Sequence, residues 1–283
     1  RVKDAAGTAK PLVLDTARWL GYFFPLPIPI FHSQQAPRAE EELLMESTWN
    51  GFKREDFLFN GFKCILVSPE HPLPGNPFVW RAEFFDAFAQ CDLEMVRRGY
   101  YLTYINLSDK YGCPWAIERM KEYYDYLTGE RSLGLTPLIF GFSRGGLYTT
   151  NFALTYPDCV GKIYLDAPVL SVLSWPGGKG SGIGAPREWQ ECLECFGRTE
   201  QDISDCKEAF PVRRGAELAR LDIPVALVAG GADDVVPYNE NGFIFADAFT
   251  RAGGRIFIRI KPTCGHHPHS LEDVTELCDF LCR

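Results

Sequence analysis

The feature of this sequence that most constrains its fold is a glycine-rich turn between an apolar run and a helical pattern. The run L-I-F is followed by G-F-S-R-G-G at residues 141–146, and the helical pattern continues to residue 156. In G-x-S-x-G between a strand and a helix, the serine lies on a sharp, strained turn that exposes its hydroxyl group. We therefore predict that Ser143 is a nucleophile; the alternative is an ordinary glycine-rich turn.

A serine hydroxyl needs a base to become nucleophilic near neutral pH. Three of the five histidines lie in G-H-H-P-H at residues 265–269, directly after an apolar run at 255–260. We predict His266 as the base, with His267 and His269 as alternatives. A metal site in this loop is disfavoured because the loop lacks nearby carboxylates in suitable number, so no metal is expected.

A third group must orient the imidazole and stabilise its charged form. The motif G-G-A-D-D-V-V-P at residues 230–237 follows the apolar run V-A-L-V-A. We predict that Asp233, within this motif, is the acid, which gives the chain order Ser, Asp, His. The alternatives are its neighbour Asp234 and Asp166, which ends an earlier apolar run.

Strand-like and helical segments alternate around these motifs from about residue 57 to the end of the chain. This alternation predicts an α/β fold with a mostly parallel central sheet and helices on both faces. Asn60-Gly61, between two apolar runs, predicts an antiparallel hairpin at the edge of the sheet. Apolar residues at helical spacing predict a helix over residues 83–98.

Two segments interrupt this alternation. Residues 1–47 include an apolar stretch at 19–31 that is too short and too rich in proline to span a membrane. We interpret residues 1–47 as an N-terminal arm, with the apolar region of a signal peptide as the alternative for 19–31. Residues from about 167 to 221 are glycine-rich at first and then helical. An insertion of this length between two strands is typical of a lid.

Together the three motifs resemble those of the α/β-hydrolase superfamily, in particular serine esterases of the prolyl-oligopeptidase-like and acetyl-xylan-esterase-like type. G-F-S-R-G-G, G-G-A-D-D-V-V-P and G-H-H-P-H-S match the superfamily's nucleophile turn, acid loop and histidine loop. The resemblance covers residues 48–283 and implies an α/β-hydrolase domain there. The G-x-S-R-x-G form is also similar to that of glucuronoyl esterases, although these have cysteine at the position of Phe142.

The resemblance also implies where an oxyanion would bind. In this fold one donor is the backbone N–H of the residue after the nucleophile, here Arg144. The second donor comes from the loop after the third strand, and we predict the N–H of Ala82, with Arg81 and Glu83 as alternatives. This loop has no H-G-G, unlike that of hormone-sensitive-lipase-type esterases.

Three side chains are candidate substrate contacts. Arg81 ends a strand, and a guanidinium group binds carboxylates bidentately, as in acidic sugars. Trp175 and Lys179, at the start of the predicted lid, are candidate contacts to a sugar. The alternatives are structural: a pairing of Arg81 with Glu83 or the lid, and an anchoring of the lid on the sheet by Trp175.

These observations predict a serine hydrolase that cleaves carboxylic esters, with small-molecule or saccharide esters as candidate substrates and no cofactor. The alternatives are a prolyl-oligopeptidase-like peptidase, an acyltransferase and a non-catalytic hydrolase-like binding protein. A formal net charge of −8 argues against a nucleic-acid partner. No sufficiently long apolar stretch indicates a membrane partner.

The ten cysteines are scattered, and several lie within apolar patterns. This favours buried, reduced thiols and predicts a cytoplasmic location. The alternative is secretion, because the sequence begins with Arg1 and not with methionine. Cys192 and Cys195 form C-x-x-C, which we interpret as two helix-face cysteines, with a local disulfide or a metal site as alternatives.

Overall fold

The structure is a computed structural model, and it describes residues 41–283. Residues 1–40 of the predicted N-terminal arm lie outside the described residues. The described strands are Glu41–Trp49 (β1), Phe52–Phe59 (β2), Phe62–Ser68 (β3), Phe78–Arg81 (β4), Tyr101–Ile105 (β5), Leu138–Phe142 (β6), Lys162–Asp166 (β7), Val225–Gly230 (β8) and Ile256–Lys261 (β9). The described α-helices are Gln90–Arg97 (α1), Pro114–Gly129 (α2), Gly145–Thr155 (α3), Pro186–Phe196 (α4), Gly215–Ala219 (α5), Gly242–Arg251 (α6) and Thr275–Cys282 (α7).

These strands form one sheet in the order β1-β2-β3-β5-β4-β6-β7-β8-β9. Neighbours from β1 to β5 pair antiparallel, and all pairs from β5 to β9 are parallel. The carboxyl ends of the parallel strands therefore meet at one edge of the sheet. Ligand sites in open α/β sheets form at this edge.

The predicted hairpin is confirmed, and a second one precedes it. Phe59 pairs with Phe62, and both turn residues, Asn60 and Gly61, have positive φ (48° and 80°), as a two-residue type I′ turn requires. Asn-Gly at residues 50–51 makes the same kind of turn between β1 and β2 (φ 49° and 88°). Residues 41–47 of the predicted arm therefore belong to an additional strand of the sheet.

Strand β6 shows how both faces of the sheet are covered. Ile139 lies in one apolar cluster with residues of α2 and α3, such as Phe152. Phe140 lies in a second cluster with residues of α1 and α7, such as Leu281. Because successive strand residues point to opposite faces, helices pack on both sides of the sheet, as predicted.

The predicted helix over residues 83–98 is wrong in its first half. Helix α1 begins at Gln90, and residues 83–89 form turns instead. Phe84, Asp86 and Phe88 have φ values of 54°, 71° and 50°, in the left-handed region that a right-handed helix excludes. Phe84 and Phe88, whose spacing predicted a helical face, line a cavity instead.

The insertion between β7 and β8 contains α4, α5 and several short 3₁₀ helices. Helix α4 begins with a proline and ends at Gly197, whose φ of 60° is a common helix end. The start of the insertion is fastened to the residue that precedes α6, because Asn241 Oδ1 accepts the N–H groups of Leu170 and Ser171. A lid function for this segment remains a prediction.

Two further predictions concern the environment of the chain. None of the ten cysteines, all within residues 41–283, forms a disulfide, and Cys192 and Cys195 both lie on α4, as expected for helix-face residues. Within residues 41–283, no helix combines the length and the apolar character that crossing a membrane requires. The cytoplasmic location remains a prediction.

Candidate active site

Ser143 lies on a strained turn at the carboxyl end of β6. Its φ is 48°, and α3 begins two residues later. A side chain at Gly141 would not fit, because a Cβ there would lie 2.5 Å from Thr149 Oγ1 and 2.6 Å from the carbonyl oxygen of Gly145. The glycines of the motif therefore let the helix pack directly against the strand that carries the serine.

His266 connects Ser143 to Asp233. Its Nε2 lies 3.0 Å from Ser143 Oγ, and its Nδ1 lies 2.8 Å from Asp233 Oδ2. The other carboxylate oxygen of Asp233 accepts the N–H groups of Val235 at 2.9 Å and Val236 at 2.8 Å. Because two backbone donors fix this carboxylate, it can hold the imidazole in one orientation.

The acid and histidine loops touch through their main chains. A Cβ on Gly230 would overlap the carbonyl oxygens of Cys264 and Gly265. Ala232 N–H donates to the Cys264 carbonyl at 3.0 Å. Gly230, the last residue of β8, thus allows the close approach that places His266 beside its aspartate.

Asp166, the main alternative acid, pairs with a different histidine. Its Oδ1 lies 2.8 Å from His269 Nδ1. Its Oδ2 accepts the N–H of Ser270 at 2.9 Å and the hydroxyl of Tyr164 at 2.5 Å. The structure therefore brings Asp233, and not Asp166, to His266, while Asp234 is exposed.

His267, one of the two alternative bases, is exposed and lies against Phe88. The two rings are nearly parallel, with an interplanar angle of 14° and ring centres 5.5 Å apart. Partial burial, together with the neighbouring His269 and His266, lowers the pKa of His267 below its ordinary value. This imidazole is therefore neutral near pH 7.

A cavity of about 180 Å³ opens beside Ser143. Its wall is largely aromatic, and all three histidines of the loop contribute to it. The lining residues are Phe84, Ala87, Phe88, Phe142, Ser143, His266, His267 and His269. The aromatic wall was not predicted from the sequence, because the spacing of Phe84 and Phe88 is that of a helical face. Both phenylalanines lie in the loop after β4, next to the predicted oxyanion donor, and this position is the sequence signal from which the wall could have been found.

Arg81 is enclosed by the protein, and its predicted role as a substrate contact is wrong. The side chain is fully buried, and its guanidinium donates to Glu83 O at 3.0 Å, Ala87 O at 2.6 Å and Asp92 Oδ2 at 2.6 Å. Its Cζ lies 3.5 Å from the centre of the Phe142 ring. Arg81 therefore holds the turns of residues 83–89 in the conformation that lines the cavity.

The Arg144 side chain is likewise engaged in ion pairs within the protein. Nε lies 3.2 Å from Glu83 Oε1, and Nη1 lies 2.5 Å from Asp109 Oδ1. Glu83 in turn accepts the Ser108 hydroxyl at 2.9 Å. Burial raises the pKa of the Glu83 carboxyl, and the Arg144 guanidinium opposes this shift. The pair joins the turn after β4 to the start of α3.

The structure corrects one predicted oxyanion donor. The N–H of Ala82 donates to the Phe140 carbonyl at 3.0 Å within the sheet, so it cannot bind an oxyanion. In the part of the chain that the structure describes, no hydrogen bond uses the backbone N–H of Arg144 or Glu83. The nitrogen of Glu83 lies near α3, 3.7 Å from where a Cβ on Gly145 would stand.

Trp175 and Lys179 do not line the cavity at Ser143. Trp175 is half-buried, and its ring centre lies 6.3 Å from that of Tyr111. Lys179 Nζ pairs with Glu200 Oε1 at 2.6 Å. Their roles in substrate binding remain predictions.

The fold is that of the α/β-hydrolases. No family model matches the chain, and no curated protein matches its sequence. Among solved structures, dipeptidyl peptidase 4 of Porphyromonas gingivalis is 14% identical over 86% of this chain, with a TM-score of 0.59. The S-formylglutathione hydrolase of Agrobacterium tumefaciens is 14% identical over 85% of this chain (TM-score 0.57), and acylaminoacyl peptidase of Pyrococcus horikoshii is 17% identical over 81% (TM-score 0.55).

These matches differ in how much of the other protein they span. The chain covers 35% and 37% of the two peptidases, and 96% of the S-formylglutathione hydrolase. At these identities the similarity establishes the fold. The reaction must be argued from the site.

Proposed function

We propose that this protein is a serine hydrolase that cleaves carboxylic esters with short acyl groups. The observation that carries the proposal is the chain of hydrogen bonds from Ser143 Oγ through His266 to Asp233, with distances of 3.0 and 2.8 Å. This arrangement recurs on unrelated folds in enzymes that activate a serine hydroxyl for acyl transfer.

In the first half-reaction, Ser143 Oγ attacks the ester carbonyl carbon while His266 Nε2 accepts the hydroxyl proton. The carboxylate of Asp233 stabilises the imidazolium. As the tetrahedral intermediate collapses, the bond to the alcohol oxygen breaks, and His266 returns its proton to that oxygen. Water then attacks the acyl-enzyme by the same route, which releases the acid and restores Ser143.

The negative charge of the intermediate is bound by the backbone N–H groups of Arg144 and Glu83 in this proposal. Both flank the nucleophile turn, and neither is engaged in another described hydrogen bond. The amino end of α3 adds its partial positive charge. Losing one such donor costs about 10²–10³ in turnover in well-studied hydrolases.

The size of the cavity favours a short acyl group. At about 180 Å³ it is smaller than the roughly 300–1,000 Å³ typical of sites for larger ligands. Its aromatic wall favours an apolar acyl chain, from acetyl to about butyryl. The alcohol then lies outside the cavity, and the predicted saccharide alcohol remains a prediction.

A series of p-nitrophenyl esters tests this proposal. We expect kcat/KM to be highest between acetate and butyrate and to fall for octanoate, with no turnover in Ser143→Ala. Ala87→Leu, which narrows the cavity, should lower the butyrate-to-acetate ratio, whereas Leu135→Ala, at an exposed site, should leave it unchanged. A rate that rises steadily with chain length would contradict the short-acyl assignment.

A fluorophosphonate probe separates the remaining alternatives. Labelling that disappears in Ser143→Ala supports an activated serine. No labelling, with the fold intact, favours a non-catalytic binding protein. Labelling with cleavage of aminoacyl p-nitroanilides in preference to esters favours a peptidase, and acyl transfer to an added alcohol at the expense of hydrolysis favours an acyltransferase.

A further inference from the structure

Three imidazoles converge beside Ser143. The ring centres of His266, His267 and His269 lie 4.8–4.9 Å apart, with angles of 67–89° between the ring planes. One nitrogen from each ring lies within 4.8 Å of the others. Among residues 41–283, no other trio of histidine, cysteine or acidic side chains approaches in this way.

Two of these imidazoles are backed by buried carboxylates. His266 and His269 each present Nδ1 to an aspartate at 2.8 Å, Asp233 in one pair and Asp166 in the other. Metal-binding histidines commonly donate their second ring N–H to a carboxylate, which fixes the tautomer and leaves Nε2 as the ligand atom. The sequence analysis disfavoured a metal here for want of carboxylates; the structure supplies them from the ends of β7 and β8.

The three imidazoles lie close enough to reach one small divalent cation once their rings rotate. With a Zn²⁺–N distance of 2.0–2.1 Å, the metal lies about 3.2 Å from each ring centre. Ring centres at the observed spacing allow this if the cation lies about 1.5 Å above their plane. A tetrahedral site needs nitrogens about 3.4 Å apart, so the rings must rotate inward, and the exposed His267 must leave its stack on Phe88 to do so.

We propose that His266, His267 and His269 bind a Zn²⁺-like divalent cation, and that the bound cation reversibly blocks hydrolysis. The cation coordinates the Nε2 lone pair of His266, which then cannot accept the proton of Ser143. Three histidine ligands leave a fourth position open for water. Metal binding stands on the geometry alone, whereas the loss of activity rests on the proposed function.

The binding half is tested by calorimetric titration of ZnCl₂ into the full chain after treatment with chelator. We expect one Zn²⁺ per chain, no binding of Mg²⁺, which prefers oxygen ligands, and an unchanged stoichiometry in Ser143→Ala. His267→Asn should weaken the affinity at least tenfold. His71→Asn is the matched control, since this exposed histidine lies outside the cluster.

Cysteine thiolates also bind Zn²⁺, and Cys282 is exposed. The site would be assigned wrongly if binding persisted in His267→Asn and disappeared in Cys282→Ser. Absence of saturable Zn²⁺ binding in the unmodified chain would overturn the proposal as well.

The inhibition half is tested with the ester series, each variant normalised to its own rate without metal. We expect Zn²⁺ to inhibit, EDTA to restore the rate, and the inhibition constant to rise at least tenfold in His267→Asn but not in His71→Asn. Binding at the three histidines with an unchanged or increased rate would overturn the inhibitory half. A chain that binds Zn²⁺ at this site but hydrolyses no ester would instead refute the proposed function.

Discussion

The histidine loop carries two aspartate–histidine pairs that are alike in bonding and different in surroundings. In both, Nδ1 lies 2.8 Å from a carboxylate at the carboxyl-terminal edge of the parallel strands. His266 turns its Nε2 to Ser143. His269 instead packs against the rings of Phe88 and Phe142. The same pair of groups therefore adjoins the proposed nucleophile in one place and fastens a loop in the other, and the neighbour of Nε2 distinguishes the two.

The largest expected effect comes from removing each imidazole in turn. His266→Ala should lower kcat by about 10⁵–10⁶-fold, and combining it with Ser143→Ala should add little, because the groups act as a unit. His269→Ala should cost far less, since no reacting atom faces its ring. Steady-state kinetics on the preferred ester compare the variants. Equal losses at the two histidines would mean that the pairs are not functionally distinct.

The two aspartates provide the second comparison. Asp233→Asn should lower kcat by about 10⁴-fold because the amide stabilises the wrong imidazole tautomer. Asp166→Asn should leave kcat within about tenfold and lower the free energy of unfolding by about 1–3 kcal/mol, since its buried bonds to His269 and Ser270 are weakened. Turnover and urea denaturation of both variants decide this. A larger kcat loss for Asp166→Asn would move the acid to β7.

Variants of Arg81 test whether this buried side chain holds the turns of residues 83–89, which carry the Phe88 ring that packs against His269. Arg81→Met leaves Asp92 buried without its partner, which typically destabilises a protein by about 3–5 kcal/mol. Arg81→Met combined with Asp92→Leu should recover part of that loss. Urea denaturation measures both, and exposed Arg251→Met is the control. If the single variant were as stable as the unmodified chain, Arg81 would not hold the turns of residues 83–89.

The smallest effect concerns His267, which has no carboxylate partner at hydrogen-bond distance among the described contacts. Its pKa is lowered in the folded protein, so the unfolded chain, with a histidine pKa of about 6.5, binds the proton more readily. The free energy of unfolding should therefore fall as pH decreases below about 6.5. His267→Asn should reduce this fall between pH 7 and 5.5 in urea denaturation, and His71→Asn should not. A steeper fall in His267→Asn would show that the sign is wrong.

The sequence predicted the site where backbone geometry leaves few options. Ser143 needs its turn, and Gly141 reveals the close approach of α3. By contrast, Asp166 and Asp233 both follow strands of the parallel sheet, and three histidines lie within four positions of the chain. Which aspartate meets which histidine depends on the conformation of the loops, and no local pattern encodes it.

The wall of the cavity was harder to predict for a different reason. The turns of residues 83–89 depend on the hydrogen bonds and the ion pair of Arg81, and Asp92, its ionic partner, lies eleven positions further along the chain. Tertiary contacts therefore override a helical pattern that is locally convincing. The same contacts bury the guanidinium group of Arg81, which was predicted from the sequence to contact the substrate.

Gly230, the last residue of β8, fixes one part of the site through the backbone, whereas side chains determine another part. Gly230 lets the acid and histidine loops meet through their main chains, so the backbone holds the loops of Asp233 and His266 together. The cavity, by contrast, is bounded by side chains such as Ala87 and Phe88. Under the proposed function, descendants of this chain, whether natural or engineered, can therefore change which acyl group fits by substitution in the wall while they keep the backbone contacts that bring Asp233 and His266 together.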